Sequence, residues 1–171
     1  MKISKIVSGG QTGVDQGALD ACIWIDFPYG GWVPKGRKTE AGTLSPIYKG
    51  MVEHSSSEYL PRTEANVVDS DATLILTSGK PTGGSKKTIE FAKKHGRPWH
   101  HLDVSKPMDT EVQKAMEWLK NSCPDDCTLN VAGTRESKKL GIQKATLVYV
   151  LQILGKDKGT VFYPPPMGEK K

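Results

Sequence analysis

The residues best suited to bind a ligand lie in a glycine-rich segment near the start of the chain, residues 8–16. Gly9, Gly10 and Gly13 allow positive φ angles and a close approach of the backbone to a bound group. Apolar residues before the segment predict a strand, and those after it recur at helical spacing. The N–H groups and the dipole at the start of such a helix attract an anion, most often a phosphate. Further polar contacts from this turn are expected from Gln11, Thr12 and Asp15.

A second glycine turn follows the apolar run at residues 72–76. It leads into a helix that we predict to begin at about Ser85 and to end at Gly96. Ser85 equally fits a simple N-cap role, and this explanation stays open. The candidate ligand contacts of this turn are Ser78, Gly79, Thr82, Gly83, Gly84 and Ser85.

Two further loops carry cations where predicted strands end. Lys35, Gly36 and Arg37 follow the second predicted strand, and a ligand-facing role and a solvated connector are about equally favoured there. Arg135 and Ser137 follow the fifth predicted strand. Ammonium and guanidinium groups hold phosphate and other oxyanions well, so these loops are candidates for the same site.

Arg62 and Asn66 lie four residues apart in a short helix predicted from Pro61, and they therefore share one helix face. Two polar residues on a solvent-exposed face are the commoner explanation of this spacing. A ligand contact from either residue requires that their shared face looks at the site.

Strands and helices alternate five times along residues 1–155. This pattern predicts a single-domain α/β fold, a doubly wound Rossmann-like parallel sheet of about five strands with helices on both faces. Ligands of such sheets bind beyond the carboxyl ends of the strands, where the winding reverses. If the first and third predicted strands, at residues 3–7 and 72–76, are neighbours, both glycine turns border that crevice.

Three other segments complete the predicted architecture. Residues 44–59 are irregular and polar, so we expect a long loop there. The last helix is predicted from about residue 137 to 154. Residues 156–171 contain three consecutive prolines and are expected to form an extended or mobile C-terminal tail.

The composition narrows the class of protein. The 171 residues are 36% hydrophobic and 25% charged, which is typical of a soluble globular domain. We expect a cytoplasmic protein with no membrane partner, because the chain has neither a membrane-spanning apolar run nor a signal peptide. The net charge of +5 favours anionic ligands, but aromatic and basic residues are not interleaved, so nucleic acid is not an expected partner. Three scattered cysteines predict reduced thiols and no metal site.

Several spaced motifs between residues 3 and 155 resemble the putative molybdenum carrier family. The matching residues are 8–15, 31–37, 66, 70–71, 73–76, 82–85, 129–133 and 135–137, and Thr134 departs from the proline that relatives usually carry. That family is similar to the molybdenum-cofactor carrier proteins and to the Rossmann-like superfamily once labelled lysine decarboxylases. The resemblance implies binding of molybdenum cofactor (molybdopterin) or of a nucleotide-like phosphorylated molecule. It also adds Trp32 to the candidate ligand contacts and implies a homo-oligomer, a dimer or a tetramer.

One departure from that superfamily bears on enzymatic activity. Its cytokinin-activating phosphoribohydrolases carry the motif Pro-Gly-Gly-x-Gly-Thr-x-x-Glu. Here Gly83, Gly84 and Glu90 keep the spacing, but Lys86 and Lys87 replace the third glycine and the threonine. We therefore predict a binding or carrier protein. A nucleotide-processing hydrolase, with Glu90 as the candidate acid, and a nucleotide-sensing protein are the alternatives.

Overall fold

The computed structural model describes residues 1–156, in which strands and helices alternate as the sequence pattern predicts. Apart from residue 156, the predicted C-terminal tail lies outside the described residues. The elements are β1 (Ile3–Val7), α1 (Val14–Trp24), β2 (Tyr29–Val33), β3 (Lys38–Thr39), β4 (Gly42–Thr43), β5 (Met51–Glu53), α2 (Tyr59–Val68), β6 (Ala72–Thr77), α3 (Gly83–Lys94), β7 (Trp99–Asp103), α4 (Met108–Ser122), β8 (Cys127–Gly133) and α5 (Ile142–Ile153).

Within the described residues, six strands form one parallel sheet in the order β5-β2-β1-β8-β6-β7, while β3 and β4 form a separate antiparallel hairpin. The prediction of about five strands is one short, because β5 lies within residues 44–59, which we expected to be a loop. This strand has only three residues, lies at the edge of the sheet and is mostly exposed. It therefore lacks the apolar pattern that reveals a buried strand.

The first and third predicted strands, β1 and β6, are not neighbours, because β8 lies between them. Val7 of β1 pairs with Asn130 of β8, and Ile75 of β6 pairs with Ala132 of β8. The chain reaches this central position by returning through α4 from the far edge strand β7. The carboxyl end of β8 therefore separates the two glycine turns.

Helices cover both faces of the sheet. Helices α1 and α4 both pack against α5, whereas α2 packs against α3. Right-handed crossovers that run in opposite directions along a sheet place their helices on opposite faces, which accounts for the two groups. The doubly wound Rossmann-like architecture with helices on both faces is confirmed.

The core lies between the sheet and the layer formed by α1, α4 and α5. All six residues of β6 are buried, and Leu74 and Leu76 belong to one apolar cluster with Ile6 and Leu129. Each such side chain contributes about 1.5–3 kcal/mol when it leaves water. Among residues 1–156, no helix combines the length and apolar character needed to cross a membrane.

Helix α5 is apolar on more than one side, and α1 and α4 of the same chain cover much of that surface. The contact with α1 is close, because a Cβ on Gly17 would lie 2.3 Å from the carbonyl oxygen of Gln143. The predicted homo-oligomer stays a prediction.

Helix α5 begins at Ile142, five residues later than predicted. The Glu136 carboxylate accepts hydrogen bonds from the backbone N–H groups of Gly141 (2.5 Å) and Gln143 (2.9 Å). Gly141 has a φ of 85°, outside the right-handed helical region. Residues 137–141 therefore precede the helix and stay at the carboxyl edge of the sheet.

Candidate functional site

Two adjoining cavities open at the carboxyl ends of β8 and β6. The first, about 240 Å³, is here called the basic cavity, and the second, about 380 Å³, the Tyr59 cavity. Gly84, Gly133 and Arg135 line both, so the two cavities lie side by side and together make up one candidate site. The basic cavity is lined by Ser78, Lys80, Thr82, Gly84, Ser85, Gly133, Thr134, Arg135, Lys138 and Lys139. The Tyr59 cavity is lined by Gln11, Asp15, Glu58, Tyr59, Leu60, Arg62, Thr63, Gly83, Gly84, Lys87, Thr88, Ala132, Gly133 and Arg135.

The basic cavity combines four cationic side chains with the start of α3, and no carboxylate is among its lining residues. Lys138 reaches the helix, because its Nζ lies 3.3 Å from where a Cβ on Gly83 would be. A Cβ on Gly84 would meet no heavy atom within 4 Å, so the backbone there is open to a bound group. Cations around an open helix N-terminus are an arrangement suited to an anion such as phosphate.

The Tyr59 cavity is built around two arginines and the buried carboxylate of Asp15. The guanidinium carbons of Arg62 and Arg135 lie 5.5 Å and 4.8 Å from the centre of the Tyr59 ring, within the range of cation–π interactions. Arg62 Nη1 is 4.0 Å from Asp15 Oδ2. Burial raises the pKa of Asp15, and the positive charge of Arg62 opposes that rise. The cavity wall thus presents donors and an acceptor beside an aromatic ring.

The start of α1 offers fewer free N–H groups than we expected, because most of them already donate hydrogen bonds within the protein. Val14 donates its N–H to the carbonyl of Thr134 at 3.1 Å, and Gln11 donates its own to Asp15 Oδ2 at 3.1 Å. Gly13 makes the first contact possible, since a Cβ there would lie 2.4 Å from the Thr134 oxygen. The loop after β8 therefore caps α1, and the open helix N-terminus at this edge is that of α3.

Glu40, at the tip of the β3–β4 hairpin, ties together three loops of the site. Its carboxylate accepts hydrogen bonds from Thr12 Oγ1 and from Ser137 N (3.3 Å) and Oγ (2.7 Å). Arg135 Nη1 lies 3.8 Å from it. Burial raises the pKa of Glu40, but the bonds from Thr12 and Ser137 and the charge of Arg135 outweigh burial and lower it. Thr12 and Ser137 are thus used to hold the loops together.

The structure brings nine of the twenty predicted contacts together around the two cavities. They are Gln11, Asp15, Arg62, Ser78, Thr82, Gly83, Gly84, Ser85 and Arg135. The other eleven do not line either cavity. They are Gly9, Gly10, Thr12, Gly13, Trp32, Lys35, Gly36, Arg37, Asn66, Gly79 and Ser137.

The basic loop after β2 makes structural contacts with nearby loop residues. The Arg37 guanidinium donates hydrogen bonds to the backbone carbonyls of Leu44, Ser45 and Tyr48 at 3.0–3.4 Å. Lys35 and Gly36 lie with Arg37 in a short 3₁₀ turn, Lys35–Arg37. Of the two explanations given for this loop, the structure favours the connector, in which Arg37 orders residues 44–48.

Asn66 and Trp32 attach α2 to the edge of the sheet. The Asn66 side chain accepts from the Trp32 N–H at 2.8 Å and donates to the Trp32 carbonyl at 3.0 Å. The indole N–H of Trp32 donates to Asp69 at 2.7 Å. Arg62 and Asn66 share a helix face, as predicted, and both are buried instead of facing solvent. Of the two, only Arg62 reaches the Tyr59 cavity.

Glycines outside the cavities shape the site indirectly. A Cβ on Gly9 would lie 2.5 Å from Arg62 Nη1 and 2.8 Å from Asp15 Oδ2, so this glycine makes room for both side chains. The Gly79 N–H donates to Asp103 Oδ1 at 2.8 Å. That bond, with those from Ser105, lowers the pKa of Asp103 to about 2.

Several lining residues were not predicted. Lys80 lies inside the second glycine turn, and Lys138 and Lys139 directly follow Ser137, so local sequence held a signal for these three cations. We did not predict Lys138 and Lys139 as ligand contacts because the predicted last helix, from about residue 137, includes them. Tyr59 had no local signal, since only the packing of α2 brings its ring to this edge.

The remaining candidates are Glu90 as a catalytic acid, metal-binding side chains and the cysteines. The Glu90 carboxylate is exposed, pairs with Lys87 Nζ at 2.6 Å and lines neither cavity. Its pKa is lowered by the hydrogen bond from Lys87, whereas a general acid needs a raised pKa. Among residues 1–156, no three His, Cys, Asp or Glu side chains are placed to hold a metal ion. The three cysteines are free thiols.

Comparisons with known proteins agree with this architecture. Residues 6–154 match the model of the circularly permutated YpsA SLOG family. A crystal structure from Syntrophus aciditrophicus SB, described as a "putative molybdenum carrier protein", superposes with a TM-score of 0.83. It shares 40% identity with the chain, over 89% of this chain and 94% of that one. No curated protein gives a significant match. The protein described here therefore belongs to the circularly permutated YpsA SLOG family.

Proposed function

We propose that this protein binds and carries an anionic, phosphorylated cofactor, and that the cofactor is molybdenum cofactor. The observation that carries the proposal is the basic cavity at the start of α3, with four cations and no carboxylate among its lining residues. The similar structure described as a molybdenum carrier supports the choice of cargo. The expected cytoplasmic location and the homo-oligomer belong to the same proposal.

The residues present fit such a ligand in two parts. Lys80, Lys138 and Lys139 and the open backbone at Gly84 suit a phosphate. The Tyr59 cavity, joined to the basic cavity at Arg135, suits the heterocycle that carries the phosphate. Its volume of about 380 Å³ lies within the range of small-molecule sites.

Binding without turnover is favoured over hydrolysis. The candidate acid of a phosphoribohydrolase, Glu90, is exposed and paired with Lys87 away from both cavities. Of the carboxylates that do line the Tyr59 cavity, Asp15 is buried beside Arg62 and accepts the Gln11 N–H. Release of free base from nucleoside monophosphates by the purified protein would contradict the carrier assignment.

The direct test is an anaerobic titration of the purified protein with molybdopterin. A Lys138→Ala/Lys139→Ala variant is expected to bind at least about tenfold more weakly, because two charge-assisted contacts to the phosphate are lost. Lys120→Ala is the matched control, since Lys120 lies in the last turn of α4 and lines neither cavity. Equal affinity of the double variant and the wild type, or failure of inorganic phosphate to compete, would remove the proposed site.

A further inference from the structure

Two buried hydrogen-bond donors of the Tyr59 cavity have no acceptor among the described residues. They are Nε2 of Gln11 and Nε of Arg62, whose residues are only 5% and 8% exposed. A buried donor without a partner costs about 1–3 kcal/mol, so native proteins keep few of them. Both residues line the same cavity, which points to an acceptor supplied by a ligand.

The orientation of the Gln11 amide is determined by its other atom. Its Oε1 accepts the N–H of Thr12 at 3.0 Å and that of Glu40 at 2.9 Å. An amide rotated by 180° would turn its NH₂ group toward both donors, so Nε2 is held away from them. The contacts of Oε1 therefore fix Nε2 as a donor that is available for a ligand.

The Arg62 guanidinium is held in a similar way. Its Nη1 donates to Thr63 Oγ1 at 2.8 Å and lies 4.0 Å from Asp15, and its Cζ lies 5.5 Å from the centre of the Tyr59 ring. These contacts leave Nε without a partner. Asp15, also 5% exposed, adds a buried carboxylate to the same wall.

We propose that this wall reads the 2-amino-4-oxopyrimidine edge that pterins and guanine share. The ring carbonyl accepts from Gln11 Nε2 and Arg62 Nε, and the ring N–H and the exocyclic amine donate to the Asp15 carboxylate. The inference rests on the proposed function, because the phosphate of the same molecule occupies the adjoining basic cavity. Adenine fits less well, since its edge lacks the carbonyl and the paired donors.

The test compares GMP, IMP and AMP, which have the same sugar and phosphate and differ at this edge. GMP is expected to bind at least about fivefold more tightly than AMP, the lower end of what one bidentate base contact provides. IMP lacks the exocyclic amine and is expected to lie between them. Competition titrations between molybdopterin and GMP show whether the protein prefers a pterin or a guanine as its ligand.

Asp15→Asn is expected to reduce the preference for GMP over IMP to less than about twofold, because the paired acceptor is lost. Asp20→Asn is the matched control. Asp20 is also a partly desolvated carboxylate of α1, with its pKa raised by burial, but it lines a separate groove near Tyr48. If Asp15→Asn does not fold, Arg62→Lys carries the test, since it removes Nε and keeps the positive charge. It is expected to reduce the preference for GMP over AMP, because AMP has no carbonyl at this edge.

The outcomes separate the two proposals. Equal affinities of GMP, IMP and AMP, with inorganic phosphate still competing, would overturn the assignment of this wall and leave the phosphate-binding function standing. An unchanged preference for GMP over IMP in Asp15→Asn, together with an unchanged preference for GMP over AMP in Arg62→Lys, would also overturn it. If neither the nucleotides, molybdopterin nor inorganic phosphate bind, the proposed function itself fails.

Discussion

Replacing Gly84 by alanine is expected to stabilise the protein and to weaken ligand binding at the same time. Gly84 is the second residue of α3, its φ is not positive, and an added Cβ would meet no heavy atom within 4 Å. The fold therefore accommodates the methyl group without strain. Alanine is more favourable than glycine in a helix by about 0.5–1 kcal/mol. For a domain of this size, 1 kcal/mol raises the melting temperature by about 2–4 °C.

The same methyl group projects into the ligand site, because Gly84 lines both cavities. A phosphate oxygen must approach the helix N-terminus to about 2.7–2.9 Å to accept a charge-assisted hydrogen bond. Loss of one such bond costs about 1.5–3 kcal/mol, which corresponds to roughly 10- to 150-fold in affinity. We therefore expect at least tenfold weaker binding of molybdopterin to Gly84→Ala.

Thermal melts of the free protein and titration calorimetry with molybdopterin measure the two effects separately. Gly96→Ala, at the other end of the same helix, is the control. Gly96 has a φ of 60°, so this change is expected to destabilise the protein without altering affinity. A Gly84→Ala protein that melts higher and binds as tightly as the wild type would refute the assignment of the phosphate to this helix.

Three further results are expected. Molybdopterin affinity falls about tenfold or more between 0.01 and 1 M salt, because four cations line the basic cavity and screening shortens their reach; a flat profile would contradict the ionic contribution. Glu40→Gln increases anion affinity severalfold by removing the charge beside Arg135. The same variant is expected to be less stable than the wild type at neutral pH. Because the pKa of Glu40 in the folded protein lies below its ordinary 4.5, this difference in the free energy of unfolding shrinks as the pH falls through 4.5 and below. A stability difference that does not change with pH would contradict this linkage. Asp103→Asn is expected to lower the free energy of unfolding by at most about 2.5 kcal/mol at neutral pH. Since the pKa of Asp103 in the folded protein is about 2, urea melts should show this loss above pH 4 and not at pH 2. A loss that persists at pH 2 would refute the linkage.

The sequence by itself determined the class of fold and the two glycine turns. Both depend on neighbouring residues, because apolar periodicity and glycine placement act over less than about twenty residues. Buried β6 and the helix after Gly83 were therefore predictable, whereas β5 was not, since its short exposed residues carry no periodic signal. The start of α5 was misplaced because the Glu136 carboxylate, not helix propensity, sets it.

Only the tertiary structure decided which turn is open to a ligand. Both glycine turns looked alike in sequence, but the insertion of β8 between β1 and β6 brings Thr134 onto the start of α1 and leaves α3 exposed. Likewise, the Glu40 carboxylate accepts hydrogen bonds from Thr12 and Ser137, which lie 28 and 97 residues away in the sequence. Hydrogen-bond partners are assigned by distance in space, so which donors are left for a ligand is a property of the folded chain.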